Sequence, residues 1–113
     1  MSKPRRGEVW YVDLEPTRGH EQGGRRPALV ISVDALNLGP ADLLIVVPIT
    51  SRAKGVRSHV EIAAGEAGLT KKSFAKCEDI RSISTDRLGR RLGTVAEATL
   101  RRVEVVTRYL LGL

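Results

Sequence analysis

Arg25 and Arg26 stand where a polar, glycine-bearing segment, HEQGGRRPALV over 20–30, meets a proline and an apolar run. A planar, permanently charged guanidinium meets phosphate oxygens with two parallel hydrogen bonds, which a lysine point charge does not. Thr50 ends a second apolar run, 43–49, and opens a basic segment, TSRAKGVRS over 50–58. Its hydroxyl is a neutral donor. If the two runs are neighbouring strands, Arg26 and Thr50 sit near one sheet end, and strand ends hold a site better than free loops do. Plainer roles stay open at this point. Paired arginines also guard aggregation-prone strands, and a threonine after a strand serves as a turn residue.

Other chemistries find less support in the chain. His20 and His59 lie far apart and lack metal-ligand spacing. His59 opens a short apolar stretch and reads as a surface or half-buried residue. Cys77 is the only cysteine, so neither an internal disulfide nor a cysteine-based zinc site is available. Between Lys76 and Glu78 it reads as a small half-buried residue and not as a nucleophile. The glycine segment has no G-x-G-x-x-G pattern and no helix after it, which argues against a dinucleotide or P-loop site. No serine is singled out by a histidine and an acid.

The chain of 113 residues fits one domain, 1–113, large enough for one core. With 42% hydrophobic and 28% charged residues it belongs with soluble globular chains. The net charge is +6 and the pI about 10.1. That balance suits a polyanionic partner, whether RNA, DNA, an acidic protein or an anionic membrane, or else a solubilising surface. The charge is spread over arginine pairs at 5–6, 25–26, 90–91 and 101–102. No apolar leader and no membrane-length run is present, so the expected compartment is the cytoplasm.

Short strands must position the two candidate groups. Trp10, Val12 and Leu14 alternate onto one face of a strand over 8–14, ended by Pro16. Residues 16–25 read as a loop. The run 27–33 reads as a strand buried on both faces, and 34–42 as a turn region. The run 43–49 is a further buried strand, with Pro48 suggesting an edge or the end of pairing. A strand over 59–62, a turn-rich connection over 64–72, and a bent strand or strand pair over 73–83 follow. Residues 84–88 suggest one helical turn, and 89–93 a basic, glycine-punctuated link. The helix is 95–111, with a Thr94/Glu97 capping box, inward Ala96, Leu100, Val103, Val106 or Thr107 and Leu110, and Gly112 as its stop. Strands followed by one terminal helix predict a mainly β fold, a small barrel covered by a helix.

The segments GEVWYVDLEP at 7–16, GHEQGGRRPALVIS at 19–32, VVPITS at 46–51, and KCEDIRSIS followed by RLG at 76–89 resemble the MazF/PemK family of bacterial toxins. The segment at 19–32 is the most specific, and the resemblance covers nearly the whole chain. It implies a half-open SH3-like barrel of the MazF/CcdB type with a C-terminal helix, usually a homodimer. It also implies a sequence-specific, metal-independent endoribonuclease that uses no cofactor. In that family the ribose 2′-hydroxyl of single-stranded RNA attacks the adjacent phosphate, giving a cyclic phosphate and a 5′-hydroxyl end. A cognate antitoxin with an acidic, disordered segment is the implied inhibitor.

By position the resemblance makes Arg26 and Thr50 the catalytic pair. His20, Glu21, Gln22 and Gly23 become RNA contacts, where many relatives have serine at the position of His20. Glu78 is a further expected contact. Asp79 replaces a familiar glutamine, which removes any contact that amide makes. Arg5, Arg6, Arg25, Ser51, Lys54, Arg57 and Arg81 complete the expected RNA-binding set. Arginine is a poor general base, so Glu21 or His20 is the expected proton acceptor. Two other functions fit the same barrel: a CcdB-like toxin that traps DNA gyrase, and a non-catalytic RNA-binding barrel.

Overall fold

Alternation along the first strand sends its side chains to two different cores. In β1 (Glu8–Asp13), Trp10 and Val12 join Leu14 in one cluster, while Val9 enters the other. The same split runs through β2 (Arg25–Val30) and β3 (Leu43–Thr50). Ala28, Val30, Leu44 and Val46 face the first cluster, and Leu29, Val47 and Ile49 the second. Both strands are therefore buried on two faces, which explains their unbroken apolar runs. The computed structural model describes residues 3–113; the first two residues of the expected 1–113 domain lie outside the described residues.

The remaining elements are α1 (Asp34–Asn37), β4 (His59–Ile62), β5 (Ser73–Lys76), β6 (Arg81–Ser84), β7 (Leu88–Thr94) and α2 (Glu97–Leu111). Three 3₁₀ turns, Glu66–Gly68, Cys77–Asp79 and Thr85–Arg87, join them. Seven antiparallel strands make one sheet in the order β4-β5-β3-β2-β1-β7, with β6 also on β3. The fold is thus mainly β with one C-terminal helix, as expected. The barrel is met in outline only, because no strand pair among the described residues closes the sheet. Instead the Glu66–Gly68 turn presses on β7. A Cβ on Gly68 would fall 2.2 Å from the Leu92 carbonyl oxygen, and one on Gly93 would fall 2.6 Å from the Ala67 carbonyl carbon.

Several expectations are corrected. Pro48 does not mark an edge: β3 is a central strand paired with β2. Its other side holds β6 as far as Val46 and β5 from Ile49, so Pro48 falls between the two ladders. The link 89–93 is part of β7, its glycines admitting close backbone approach. The helical turn expected over 84–88 is there but shorter, Thr85–Arg87, since Ser84 ends β6 and Leu88 starts β7. No capping box forms at Thr94 and Glu97. Ala96 is the N-cap, and its N–H donates to Glu66 Oε2 at 3.0 Å. The buried helix face is Thr99, Val103 and Thr107, flanked by Leu100 and Val106, while Ala96 and Leu110 are exposed. Gly112 does end the helix, at φ +72°. Cys77 is fully buried, not half-buried. Among the described residues, no helix is long and apolar enough to cross a membrane.

Candidate active site

The β2–β3 ladder sets Ala28 against Pro48, Leu29 against Val47 and Val30 against Val46. The ladder ends at that first pair, and Arg26 and Thr50 lie two residues beyond it on their two strands. Arg25 and Arg26 belong to β2, not to the loop before it, and pair with Asp13 and Val12 of β1. Arg26 and Thr50 both line a cleft of about 370 Å³, together with Arg25, Ser51, Tyr11, Lys71 and Arg90.

The two residues are held differently. Thr50 is 5% exposed, and its Oγ1 accepts from the Arg52 N–H at 3.2 Å. Arg26 is exposed, and its Nε donates to the Gly23 carbonyl at 3.1 Å. That bond orients the guanidinium and leaves its terminal nitrogens without a protein partner among the described residues. A cation beside a hydroxyl at a strand end can meet an anion from two directions.

The loop 16–24 arches beside this cleft. Its Gly24 N–H donates to Glu15 Oε1 at 2.7 Å, and its Gln22 N–H to Asp79 Oδ2 at 2.6 Å. Lys76 Nζ reaches Gln22 Oε1 at 3.4 Å. Glu21 Oε1 accepts from the Arg18 N–H at 2.6 Å, and His20 is exposed. None of His20, Glu21, Gln22 and Gly23 lines the cleft; Gly23 reaches it through its bond to Arg26. Lys54 and Arg57 are exposed on the neighbouring loop.

Other expected residues are engaged within the fold. Arg81 donates to the Leu14 carbonyl at 3.1 Å. Arg6 donates to the Ile31 carbonyl and pairs with Glu104. Arg5 pairs with Asp34 at 3.6 Å. Glu78 accepts from Ser58 Oγ at 2.8 Å and contacts His59 Nε2 at 2.7 Å. Burial would raise the Glu78 pKa, but hydrogen bonds from Ser58, from its own backbone N–H and from His59 outweigh it and hold the carboxyl below its ordinary value. Burial pushes the Cys77 thiol up, which suits a packing role.

Reading the sequence missed Tyr11, Lys71 and Arg90. Lys71 sits in a segment that reads only as turn. Arg90 sits in β7, whose glycines hid the strand, and its guanidinium lies 5.5 Å from the centre of the Tyr11 ring. Basic residues flanking the glycines at 89–93 were the available signal. Among the described residues, no group of three or more histidine, cysteine or acidic side chains could hold a metal ion.

Residues 5–111 match the family described as "PemK-like, MazF-like toxin of type II toxin-antitoxin system". The chain belongs to the MazF/PemK toxin family. Among its MazF relatives, the endoribonuclease MazF9 of Mycobacterium tuberculosis is 41% identical, over 96% of this chain and 97% of that one. The MazF crystal structure from Deinococcus radiodurans superposes with a TM-score of 0.88 at 33% identity, over the whole of both chains. A MazE–MazF structure from the same organism gives 0.83 at 34% identity, over 100% of this chain and 99% of that one. This MazF-family chain is therefore a toxin of the type II toxin–antitoxin class, and the activity its relatives carry in their names is endoribonuclease.

Proposed function

We propose that the chain is a sequence-specific endoribonuclease whose cleft at Arg26 and Thr50 cuts single-stranded RNA. The observation that carries this reading is the cleft that an exposed guanidinium, Arg26, and a buried hydroxyl residue, Thr50, line together. Three further cations, Arg25, Lys71 and Arg90, line the same cleft. The 2′-oxygen attacks phosphorus and loses its proton to a base. The P–O5′ bond breaks, the 5′-oxygen gains a proton, and a 2′,3′-cyclic phosphate remains. Negative charge grows on the non-bridging oxygens. Arg26 meets that charge with two donors and Thr50 adds a third. The base is Glu21 or His20, on the loop that Arg26 itself grips through Gly23.

MazE–MazF complexes among the solved relatives support an antitoxin, and the basic cleft suits one that lays an acidic, disordered segment over it. A homodimer of single-domain chains working in the cytoplasm completes the picture.

The test uses mixed-sequence single-stranded RNA and the matching DNA, with a chelator present. Cuts in RNA alone, at a short recurring sequence and with cyclic phosphate ends, are expected. Arg26→Ala should lower the rate about 100- to 1,000-fold, with a much smaller loss of RNA affinity. Intact RNA, or equal losses in rate and affinity, would overturn the assignment.

A further inference from the structure

Two loops flank the cleft, 16–24 before β2 and 51–58 after β3, and both are fastened to one short turn. That turn, Cys77–Asp79, lies between β5 and β6. Its root is fixed: Cys77 is fully buried and its N–H donates to the Ser58 carbonyl at 3.2 Å. On one side Glu78 takes the Ser58 hydroxyl and His59 Nε2, where the 51–58 loop rejoins the sheet. On the other, Asp79 Oδ2 accepts from the Gln22 backbone N–H at 2.6 Å, across 57 residues of sequence.

The second tie leads to the reacting centre in two steps. Gln22 precedes Gly23, and the Gly23 carbonyl accepts from Arg26 Nε at 3.1 Å. A shift of the loop at Gln22 therefore moves the acceptor that orients the guanidinium. Lys76, only 7% exposed, adds a weaker reach to the Gln22 side chain at 3.4 Å. A charged acceptor on a backbone donor is among the stronger hydrogen bonds a fold can use. The tie is short, crosses between elements and ends one residue from the group that holds Arg26.

We propose that Asp79 is a positioning residue for RNA cleavage: its carboxylate pins Gln22 and so aims Arg26 through Gly23. The proposal rests on the reading of the Arg26 cleft as the cleaving site. Asp79 touches no reacting atom. Its effect should appear in turnover more than in binding, since a misplacement of about 1 Å costs on the order of a hundred-fold in rate.

The test compares Asp79→Ala, Asp79→Asn and Asp79→Glu with the parent chain. Hydrogen exchange reads the Gln22 amide directly, and steady-state cleavage of a short RNA gives kcat and KM. Asp79→Ala should speed exchange at Gln22 and lower kcat about 10- to 100-fold with KM little changed. Asp79→Asn keeps an acceptor oxygen and should restore most of both. Asp79→Glu keeps the charge but displaces the oxygens, so it should fall between them. It also carries the test if the alanine variant fails to fold. Unchanged exchange in Asp79→Ala would overturn the proposal. So would faster exchange with parental kcat, or an asparagine variant as slow as alanine. A parent that cuts no RNA would overturn the functional reading, and with it any catalytic bearing of Asp79, while the exchange arm still decides whether the tie exists.

Discussion

At the scale of single residues, Thr50 separates chemistry from packing more cleanly than Arg26 does. It is buried, so a shape-preserving change leaves its surroundings filled. Thr50→Val removes only the hydroxyl and leaves the Arg52 N–H without that acceptor, a loss of about 0.5–1.5 kcal/mol in stability. Its cleavage rate is expected to fall about 100-fold, as for loss of one preorganised donor, and Thr50→Ser should recover most of it. Single-turnover cleavage beside thermal melting checks this; a valine variant that cuts as fast as the parent removes Thr50 from the chemistry. Glu78 allows a prediction of a different kind. Its folded pKa lies below its ordinary value, so its contribution to stability is complete above the unfolded pKa and is lost as pH falls through the folded one. Glu78→Gln should therefore be less stable than the parent at neutral pH, and the gap should close on acidification through the carboxylate range. Urea midpoints at a series of pH values test it, and a constant gap would contradict it.

At the scale of elements, the sheet is completed by a contact that only glycines permit. Gly68 has φ +76° and lies against Leu92, and Gly93 lies against Ala67. Alanine at either site forces the turn away from β7. Each variant should lose about 1–3 kcal/mol, as overpacking does, seen as a fall of several degrees in melting temperature. Gly55→Ala, which has φ +64° but open space around its Cβ, should cost less; a loss at Gly55 equal to that at Gly68 would mean that backbone strain and not the contact is responsible at Gly68, while Gly93, which is not among the positive-φ glycines, reads the contact alone. The same glycines show why the sequence was legible only in part. Strands β1, β2 and β3 could be read because alternating or continuous apolar side chains follow directly from burial on one or two faces. Arg26 and Thr50 could be paired because both terminate such runs. β7 could not be read, since its composition, LGRRLGT, answers to a backbone contact with the distant Glu66–Gly68 turn and not to side-chain burial. The capping box failed for a related reason. Its spacing was right, but the Glu66 carboxylate from a distant turn reached the helix start first. Arg6 and Arg81 looked like phosphate ligands by charge alone, and only tertiary structure shows the carbonyls they hold.

At the scale of the whole molecule, a net charge of +6 is too coarse a guide to where a polyanion binds. Several arginines are spent internally: Arg6, Arg81 and Arg87 hold backbone carbonyls, and Arg91 and Arg101 pair with Glu8 and Glu97. The cations left around the cleft are Arg25, Lys71 and Arg90, beside Arg26. At physiological salt, screening sets in within about 8 Å, so a phosphate in the cleft responds to these charges and little to those elsewhere. Each phosphate contact to a single strand contributes about 0.7 to the slope of log K against log salt. Lys71→Ala and Arg90→Ala should each flatten that slope by about this amount, measured as binding of an RNA made uncleavable by a 2′-deoxy substitution. Arg101→Ala, on the exposed side of α2, removes the same unit of charge and should leave the slope unchanged. If all three variants flatten it equally, net charge alone governs binding and the cleft has no privileged field. If only the first two do, an acidic segment competing for the cleft should lose its hold with rising salt in parallel with RNA.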